Sequence, residues 1–413
     1  MKKKVLLKAP VLTRSGYGEQ SRFALRALRS REDLFDIYIH PLQWGHTSWV
    51  SEVDEERQWI DDRIGDTIEY VQQGGTFDIS LQVTIPNEWE KLASYNVGFT
   101  AGIETTRVAH EWILKANEMD SVIVVSNHAK DVFANTVYEA MEQNTNQRIE
   151  LKLESPIESV NYPVKQYEDL KALELDLEYD FNFVTVSQMG PRKNLENTIR
   201  WFIEEFKDEE VGLVVKTNMA KNCQIDREIV HGRLLSIVKD PQYDNKKCRI
   251  YLLHGDLTDK EMHEIYLHPK IKSLVSFTHG EGFGLPIYEA AYTGVPVVAT
   301  AWSGQLDFLV DEKGENKFYD VSFDLMPIPE NVEWKGVIIK GSMWAYPREL
   351  SAKNKMRQCY EDVTNGIDNS CEYAKELKER FSNEKMYAAF VDAMNIPTIN
   401  VESPLSGEIV EFE

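Results

Sequence analysis

The feature that most constrains the fold is a regular alternation of short apolar segments with amphipathic ones in both halves of the chain. Strands that alternate with helices of this length predict parallel sheets and right-handed crossovers. The alternation lapses from about residue 142 to 180, a polar, acidic stretch interrupted by Pro156 and Pro163, which predicts a domain junction. The sequence therefore predicts two doubly wound α/β domains in tandem. The strand candidates are 4–9, 35–40, 77–83, 96–101 and 121–126 before the junction, and 182–187, 211–216, 249–254, 271–277 and 295–299 after it.

Composition narrows the class of protein. The net charge of −22 argues against broad attraction to nucleic acid or anionic lipid. No apolar run has the length of a membrane span, and the apolar run at the start of the chain is too short for a signal peptide. The four cysteines and nine histidines show no disulfide pattern and no metal-ligand spacing. We therefore expect a cytoplasmic protein without a transmembrane segment and without a bound metal ion.

A glycine-rich loop that leads into a helix is the most informative local motif. Residues 280–284 contain three glycines, Pro286 suits the first residue of a helix, and Gly294 suits the position just beyond its end. Such a loop presents the free N–H groups of a helix start to a sheet crevice, where a diphosphate binds well. Glu281 and Glu289 flank this turn. Either carboxylate alone would be interpreted as a solvated or helix-dipole residue, but together with the glycines they predict a binding site for sugar or ribose hydroxyls.

These residues resemble a known signature. The spacing from Glu281 to Glu289, with the GVPVVAT segment that follows at 294–300, is similar to the Glu-x7-Glu motif of family 4 retaining glycosyltransferases. The resemblance continues through WSG at 302–304, DFL at 307–309 and WAYP at 344–347. A second matching block, VSQMGPRKNL at 186–195, carries Arg192 and Lys193, but has Gln188 where many members of the family have arginine.

The resemblance implies a GT-B fold, in which two Rossmann-like, doubly wound domains face each other across a cleft. We expect residues 1–170 to form the N-terminal, acceptor-binding domain and residues 171–372 the C-terminal domain, which binds the nucleotide-sugar donor. The resemblance also implies that helices in 373–395 cross back to the N-terminal domain. An acidic tail, 396–413, would follow.

The resemblance further implies a retaining transferase that moves a hexosyl or pentosyl group from a nucleotide sugar to a hydroxyl acceptor. Lys193 would neutralise the leaving diphosphate, and Glu281 would hold sugar hydroxyls beside the reacting carbon. Since the chain lacks Asp-x-Asp, these groups would replace a metal ion, and no cofactor other than the nucleotide-sugar co-substrate is expected. The remaining donor-binding candidates are Glu289 at the ribose, Arg192, the loop residues Gly282, Phe283, Gly284 and Leu285, Gly16 after the first strand, and Lys216, which with Arg192 could compensate for Gln188.

The acceptor side is predicted from fewer residues. Glu104 lies in a segment that resembles the acceptor wall of the family. On the first predicted helix, Arg22, Arg26 and Arg29 form one stripe, opposite an apolar face. This stripe predicts a basic surface for a polyanionic acceptor, either a lipid phosphate at a membrane surface or a modified DNA base, beside the glycan acceptors typical of transferases. The alternative is a solvated face paired with carboxylates from elsewhere in the chain.

Two other functions use the same architecture. A nucleotide-sugar 2-epimerase would isomerise the donor without an acceptor, and a catalytically idle subunit would only bind it. The Glu-x7-Glu spacing and the Arg-Lys-Asn block favour transfer, whereas Gln188 keeps the idle subunit open. The donor nucleotide, the sugar and the oligomeric state are not determined by the sequence.

Overall fold

The first domain is built on a six-stranded parallel sheet. The computed structural model describes residues 2–141 and 148–397. The strand order is β2-β1-β3-β4-β5-β8, and a separate antiparallel hairpin, β6-β7, leaves the sheet after the fourth helix. The strands are β1 Lys3–Ala9, β2 Phe35–Pro41, β3 Ile79–Val83, β4 Tyr95–Thr100, β5 Ser121–Val124, β6 Tyr138–Met141, β7 Arg148–Leu151 and β8 Ile157–Ser159, and the helices are α1 Gly16–Arg29, α2 Glu55–Gln72, α3 His110–Ala116 and α4 Asn127–Asn135.

The second domain repeats this plan with a different strand order. Its parallel sheet runs β11-β10-β9-β12-β13-β14, and an antiparallel hairpin, β15-β16, precedes α10. The strands are β9 Phe181–Gln188, β10 Val211–Asn218, β11 Arg249–Leu253, β12 Ile271–Ser276, β13 Val297–Thr300, β14 Tyr319–Val321, β15 Phe323–Pro327 and β16 Met343–Pro347. The helices are α5 Leu195–Phe206, α6 Gln224–Val238, α7 Asp259–Tyr266, α8 Leu285–Thr293, α9 Leu306–Leu309 and α10 Glu349–Thr364.

The last two helices, α11 Ser370–Arg380 and α12 Asn383–Ala393, contact different domains. α11 packs on α8 of the second domain, whereas α12 packs on α1 of the first. The hydroxyl of Ser121 donates to the carbonyl of Ala393 at 3.1 Å, which fixes the end of α12 to the first sheet. The chain thus returns to the first domain through α12. The domain bounds given above stay a prediction, and the predicted acidic tail lies outside the described residues except for 396 and 397.

The buried strands explain why the sequence pattern is easy to interpret. β10 is buried on both faces over Val211–Thr217, as expected for a parallel strand covered by helices on each side. One face of α5 is apolar at helical spacing and entirely buried in the core of the second domain; it consists of Leu195, Ile199, Phe202, Ile203 and Phe206. All ten predicted strands are present. The sequence missed β8 and β14, which add a short sixth strand to one edge of each sheet, and the two hairpins β6-β7 and β15-β16.

The strand orders determine where a ligand can bind. In the second sheet, β9 lies between β10 and β12, so the loops that follow β9 and β12 leave the sheet in opposite directions and form a crevice between them. Crevices at such switch points are the usual ligand sites of open α/β sheets. The loop after β4 in the first domain meets this crevice, because Arg192 of the second domain contacts Glu104 of the first. Among the described helices, none is both long and apolar enough to cross a membrane.

Candidate active site

The loop between β12 and α8 is shaped by its glycines. Gly284 precedes the first residue of α8 with φ +97°, and Gly294 ends the helix with φ +90°, conformations that favour glycine. The helix begins one residue earlier than predicted, so Pro286 occupies its second position. A Cβ atom on Gly282 would lie 2.6 Å from the carbonyl oxygen of Ala101, so a glycine is needed where the two domains approach each other.

The loop presents backbone donors to the cleft. Among the described residues, no protein acceptor faces the N–H groups of the four consecutive loop residues Gly282, Phe283, Gly284 and Leu285. The preceding N–H, of Glu281, donates to Ser303 Oγ at 2.8 Å. The Ser303 hydroxyl in turn donates to Gln305 Oε1 at 2.9 Å, which holds the loop in place. Free N–H groups at a helix N-terminus suit an oxyanion such as a phosphate.

Glu281 lies between two cations. Lys193 Nζ donates to its Oε1 at 2.5 Å, and Arg192 Nη1 donates to its Oε2 at 3.1 Å. The side chain of Glu281 is only 9% exposed. Burial alone would raise the pKa of Glu281, but Lys193 and Arg192 lower it to about 2. Glu281 is therefore an ionised hydrogen-bond acceptor rather than a proton donor near neutral pH.

Arg192 joins the two domains. Its guanidinium donates to Glu281 and to the carbonyl of Gly280, and its Nη2 lies 3.1 Å from Glu104 Oε1 in the loop after β4. Burial lowers the pKa of Lys193, and the adjacent Arg192 lowers it further. We call these four side chains, Glu104, Arg192, Lys193 and Glu281, the ion cluster. Its two carboxylates and two cations meet at the switch point of the second sheet.

Glu289 occupies a neighbouring cavity rather than the ion cluster. It lies on α8, is half-buried, and lines a cavity of about 600 Å³ together with Glu19 and Lys165. Burial raises the pKa of Glu289 to about 7, although Lys165 opposes the effect. The ion-cluster cavity has a volume of about 500 Å³, and the two cavities share Gly16, Lys216, Leu285 and several other residues. The two predicted carboxylates therefore face two adjoining parts of one interdomain cleft.

The predicted donor residues outside the loop also reach this cleft. Gly16 is the exposed first residue of α1, which is capped by Ser15 Oγ accepting from the N–H of Gly18 at 2.9 Å. Lys216 lies near the end of β10, and its Nζ donates to the carbonyl of Gly255 at 2.6 Å. Burial lowers the pKa of Lys216. The side-chain amide of Gln188 donates to the carbonyl of Met219 at 2.6 Å.

The arginine stripe does not form the free basic surface that the sequence predicts. Arg22 is buried and donates to the carbonyls of Val11 and Thr13 and to Glu19. Arg26 makes two hydrogen bonds, of 2.6 and 2.8 Å, with the carboxylate of Glu56 on α2.

The third arginine, Arg29, lies over the ring of Trp59, 4.5 Å from its centroid. The stripe is not a free basic surface, because α2 and the residues around Glu19 cover it with carboxylates and an aromatic ring. A role of these arginines at the acceptor stays a prediction. The alternative of a helix face paired with carboxylates from elsewhere describes Arg22 and Arg26 correctly.

Metal ligands do not converge at this site. Within residues 2–141 and 148–397, no group of three or more His, Cys, Asp or Glu side chains is arranged to hold an ion. All four cysteines are free thiols. The predicted independence of a metal ion stays a prediction.

Comparison with known proteins identifies structures that share this fold. Part of the second domain, residues 247–319, matches a family described as glycosyl transferases group 1, and no curated protein matches the chain in sequence. Similar solved structures include a glycosyltransferase from Rickettsia africae (TM-score 0.60, 12% identity, 95% of this chain and 98% of that one). A sucrose-phosphate synthase from Thermosynechococcus elongatus has a TM-score of 0.61 at 10% identity, over 95% of this chain and 98% of that one. HepE from Anabaena, solved with UDP and glucose, has a TM-score of 0.57 at 11% identity, over 95% and 99%.

The chain has the GT-B fold. This confirms the predicted fold class, because the similarity to all three structures covers both domains and the cleft between them. The ion cluster and the free N–H groups therefore lie in a GT-B cleft. The roles given to individual residues by the family resemblance stay predictions.

Several residues of the GT-B cleft were missed by sequence reasoning. They include Tyr17 and Trp44 on the first-domain wall, Glu19, Lys165 and Tyr167 near Glu289, and Ser303 behind Glu281. Lys165 and Tyr167 fall in the acidic connection between the domains, where no periodicity marks a buried position. Ser303, with φ +79°, lies in the WSG segment of the family resemblance, which was the one available signal.

Proposed function

We propose that the protein is a retaining, metal-independent glycosyltransferase that moves a hexosyl or pentosyl group from a nucleotide sugar to a hydroxyl acceptor. The observation that carries this proposal is the ion cluster beside four free N–H groups at the switch point of a GT-B fold. The match of residues 247–319 to glycosyl transferases group 1 supports it, since that segment contains both Glu281 and Glu289. Cations and N–H groups bind a diphosphate, and an ionised carboxylate accepts hydrogen bonds from sugar hydroxyls.

The leaving group determines how the cluster would act. The diphosphate would accept hydrogen bonds from the loop N–H groups and from Lys193, which lies 2.5 Å from Glu281 and can turn towards a stronger anion. As the bond from the anomeric carbon to the diphosphate oxygen breaks, negative charge grows on that oxygen. Donors already held in place stabilise such charge most effectively. Lys193 and the start of α8 would thus supply the charge that a metal ion supplies in other transferases.

Retention follows if the acceptor approaches from the side of the leaving group. The acceptor oxygen forms the new bond to the anomeric carbon on the face from which the diphosphate departs, and its proton passes to a diphosphate oxygen. Glu281, ionised at neutral pH, would accept hydrogen bonds from sugar hydroxyls. Glu289, in the adjoining cavity, would do the same for the ribose. HepE, which is solved with UDP and glucose, is an example of a GT-B protein with such ligands.

A thermal-shift screen tests donor binding first. Purified protein is melted with UDP-, GDP- and ADP-sugars, with EDTA present throughout, and we expect one nucleotide to raise the melting temperature by mass action. The Lys193→Ala variant should lose most of this shift. Lys313→Ala, which removes an exposed loop lysine outside the cleft, should retain it. A folded protein that responds to none of these nucleotide sugars would contradict the proposal.

Product analysis then separates transfer from the alternatives. The donor is incubated without an acceptor, and the mixture is examined by NMR for a 2-epimer. With an acceptor, the anomeric configuration of the product is determined from its coupling constant. Retention in the presence of EDTA is expected. A 2-epimer formed without an acceptor would identify an isomerase, and inversion would exclude the front-face reaction.

A further inference from the structure

The first-domain wall of the cleft carries an aromatic surface that the proposed reaction does not use. Trp44, in the loop after β2, lies over Tyr17 at the start of α1, with ring centroids 4.2 Å apart and planes inclined by 33°. The hydroxyl of Tyr17 is fixed by a 2.8 Å hydrogen bond with Thr100 Oγ1 at the end of β4. Both rings are half-buried and line the same cavity as Glu281. An aromatic pair is thus held in the same cavity as the carboxylate that is proposed to bind the donor sugar.

The cations near this wall already have partners. Lys165 contacts Glu19 and Asp259 at 3.0 Å each. Arg14 pairs with Glu52 and donates to the carbonyl of Leu257. The remaining nearby arginines, Arg22 and Arg26, pair with Glu19 and Glu56. Each of these four cations lines the cleft and already has a carboxylate partner, with which a phosphate of the acceptor would have to compete.

The uncharged groups that remain suit a sugar ring. The wall is also lined by Ser48 and by Thr47, whose hydroxyl donates to the carbonyl of Trp44 at 2.7 Å, with Glu104 at the boundary to the second domain. A pyranose has an apolar face of C–H groups that packs on an aromatic ring, and hydroxyls at its edge that bond to polar side chains and carboxylates. Pockets with an apolar wall and a few placed polar groups bind such ligands well. The net charge of −22 further disfavours approach of a polyanion.

We infer that the acceptor is an uncharged saccharide, and that Trp44 determines this specificity by stacking on its ring. This inference rests on the proposed glycosyl transfer, since it concerns the second substrate of the same cleft. It selects the glycan from the three acceptor classes that the sequence leaves open. It assigns to the aromatic pair the task of holding the ring so that a hydroxyl faces the anomeric carbon near Glu281.

Binding to a glycan array tests the inference. Labelled full-length protein is applied together with the nucleoside diphosphate identified in the thermal-shift screen. The array holds neutral, sulfated and phosphorylated glycans. Binding to an oligodeoxynucleotide and to vesicles that contain phosphatidylglycerol is measured in parallel. We expect neutral glycans to bind, and Trp44→Ala to weaken this binding at least tenfold, whereas Trp44→Phe retains most of it.

The matched control is Trp49→Ala. Trp49 lies in the same loop but is 46% exposed and does not line the cavity, so its removal should leave glycan binding unchanged. An unchanged thermal shift with the nucleoside diphosphate shows that each variant is folded and separates this test from that of donor binding. Binding only to anionic glycans, DNA or vesicles would overturn the inference. So would nucleotide binding without any neutral-glycan binding, or full glycan binding by Trp44→Ala.

Discussion

The buried carboxylate of Glu281 is stabilised in its ionised form by the cations beside it. The four side chains of the ion cluster carry no net charge together, and each carboxylate has a cation within 3.1 Å. A diphosphate adds negative charge to this cluster, and Lys193 would then divide its positive charge between the diphosphate and Glu281. The proposed donor and Glu281 therefore compete for the same ammonium group, which leads to a prediction with opposite effects on binding and turnover.

Glu281→Gln should lower kcat by roughly 100- to 1,000-fold, as loss of a placed polar group at a reacting centre does. Donor affinity should stay the same or increase, because the neutral amide attracts Lys193 less strongly than the carboxylate does. Steady-state kinetics and donor titration by calorimetry measure the two effects. Glu312→Gln, at an exposed loop position, is the control. Weaker donor binding with unchanged kcat would show that Glu281 serves only to fix the loop.

The raised pKa of Glu289 leads us to expect that the stability of the protein depends on pH. Its pKa rises from 4.5 to about 7 on folding, chiefly by burial, so the folded state binds the proton more tightly than the unfolded state. Below about pH 4.5 both states are protonated and the residue has no effect. As the pH rises towards 7, ionisation of Glu289 lowers the free energy of unfolding, and above pH 7 the loss reaches about 3 kcal/mol.

Glu289→Gln should accordingly melt at a higher temperature than the wild type at pH 8, and at the same temperature near pH 4.5. Melting curves across this range measure the difference. Donor affinity of the wild type should increase from pH 6 to pH 8, since the ionised carboxylate is the better acceptor for ribose hydroxyls, and the variant should lack this increase. Parallel stability profiles for the two proteins would mean that Glu289 is not held in the neutral form.

At the level of elements, the loop and helix from 277 to 294 were predictable because local chemistry decides them. Glycine at positive φ, proline near a helix start and a buried apolar strand each have one usual conformation. The ten strands were found for the same reason. β8 and β14 were not, since a three-residue edge strand is held by its neighbour in the sheet rather than by its own sequence. The pairing of Arg26 with Glu56 could not be found either, because Glu56 comes from another helix, whereas Glu19, the partner of Arg22, lies on α1 itself.

The two glycines in the first turn of α1 are expected to differ in their tolerance of a larger side chain. A Cβ atom on Gly18 would lie 1.9 Å from the carbonyl oxygen of Thr13, whereas one on Gly16 would have nothing within 4 Å. Gly18→Ala should cost on the order of 1–3 kcal/mol, as overpacking does, and lower the melting temperature. Gly16→Ala should leave the melting temperature nearly unchanged. Equal melting temperatures of the two variants would contradict the described packing of the loop after β1.

At the level of the whole molecule, the two domains are joined by side chains from both. Asp307 on α9 accepts from the N–H of Asn127 at 2.9 Å and from Asn161 Nδ2 at 2.8 Å. Asn127 begins α4 of the first domain. Burial raises the pKa of Asp307, although these hydrogen bonds oppose the effect. Such a contact depends on how the domains meet, so no local pattern in the sequence could reveal it.

Asp307→Ala should loosen the closed arrangement by removing both hydrogen bonds. We expect a larger radius of gyration in small-angle scattering, and a donor KM raised several-fold because the cleft must be closed at a greater cost. Asp311→Ala is the control, since the Asp311 carboxylate accepts only from N–H groups and a lysine of its own loop. An unchanged radius and KM would show that the other interdomain contacts suffice.

The return of the chain through α12 has a mechanical consequence. The polypeptide passes between the domains once along 160–180 and again between α11 and α12, and the two passages touch, since the N–H of Val164 donates to the carbonyl of Phe381 at 2.8 Å. Two connections held side by side restrain the domains at one edge of the cleft more than a single linker would. We therefore expect the cleft to open and close as a hinge about this edge, which would bring Glu104 back to Arg192 at each closure.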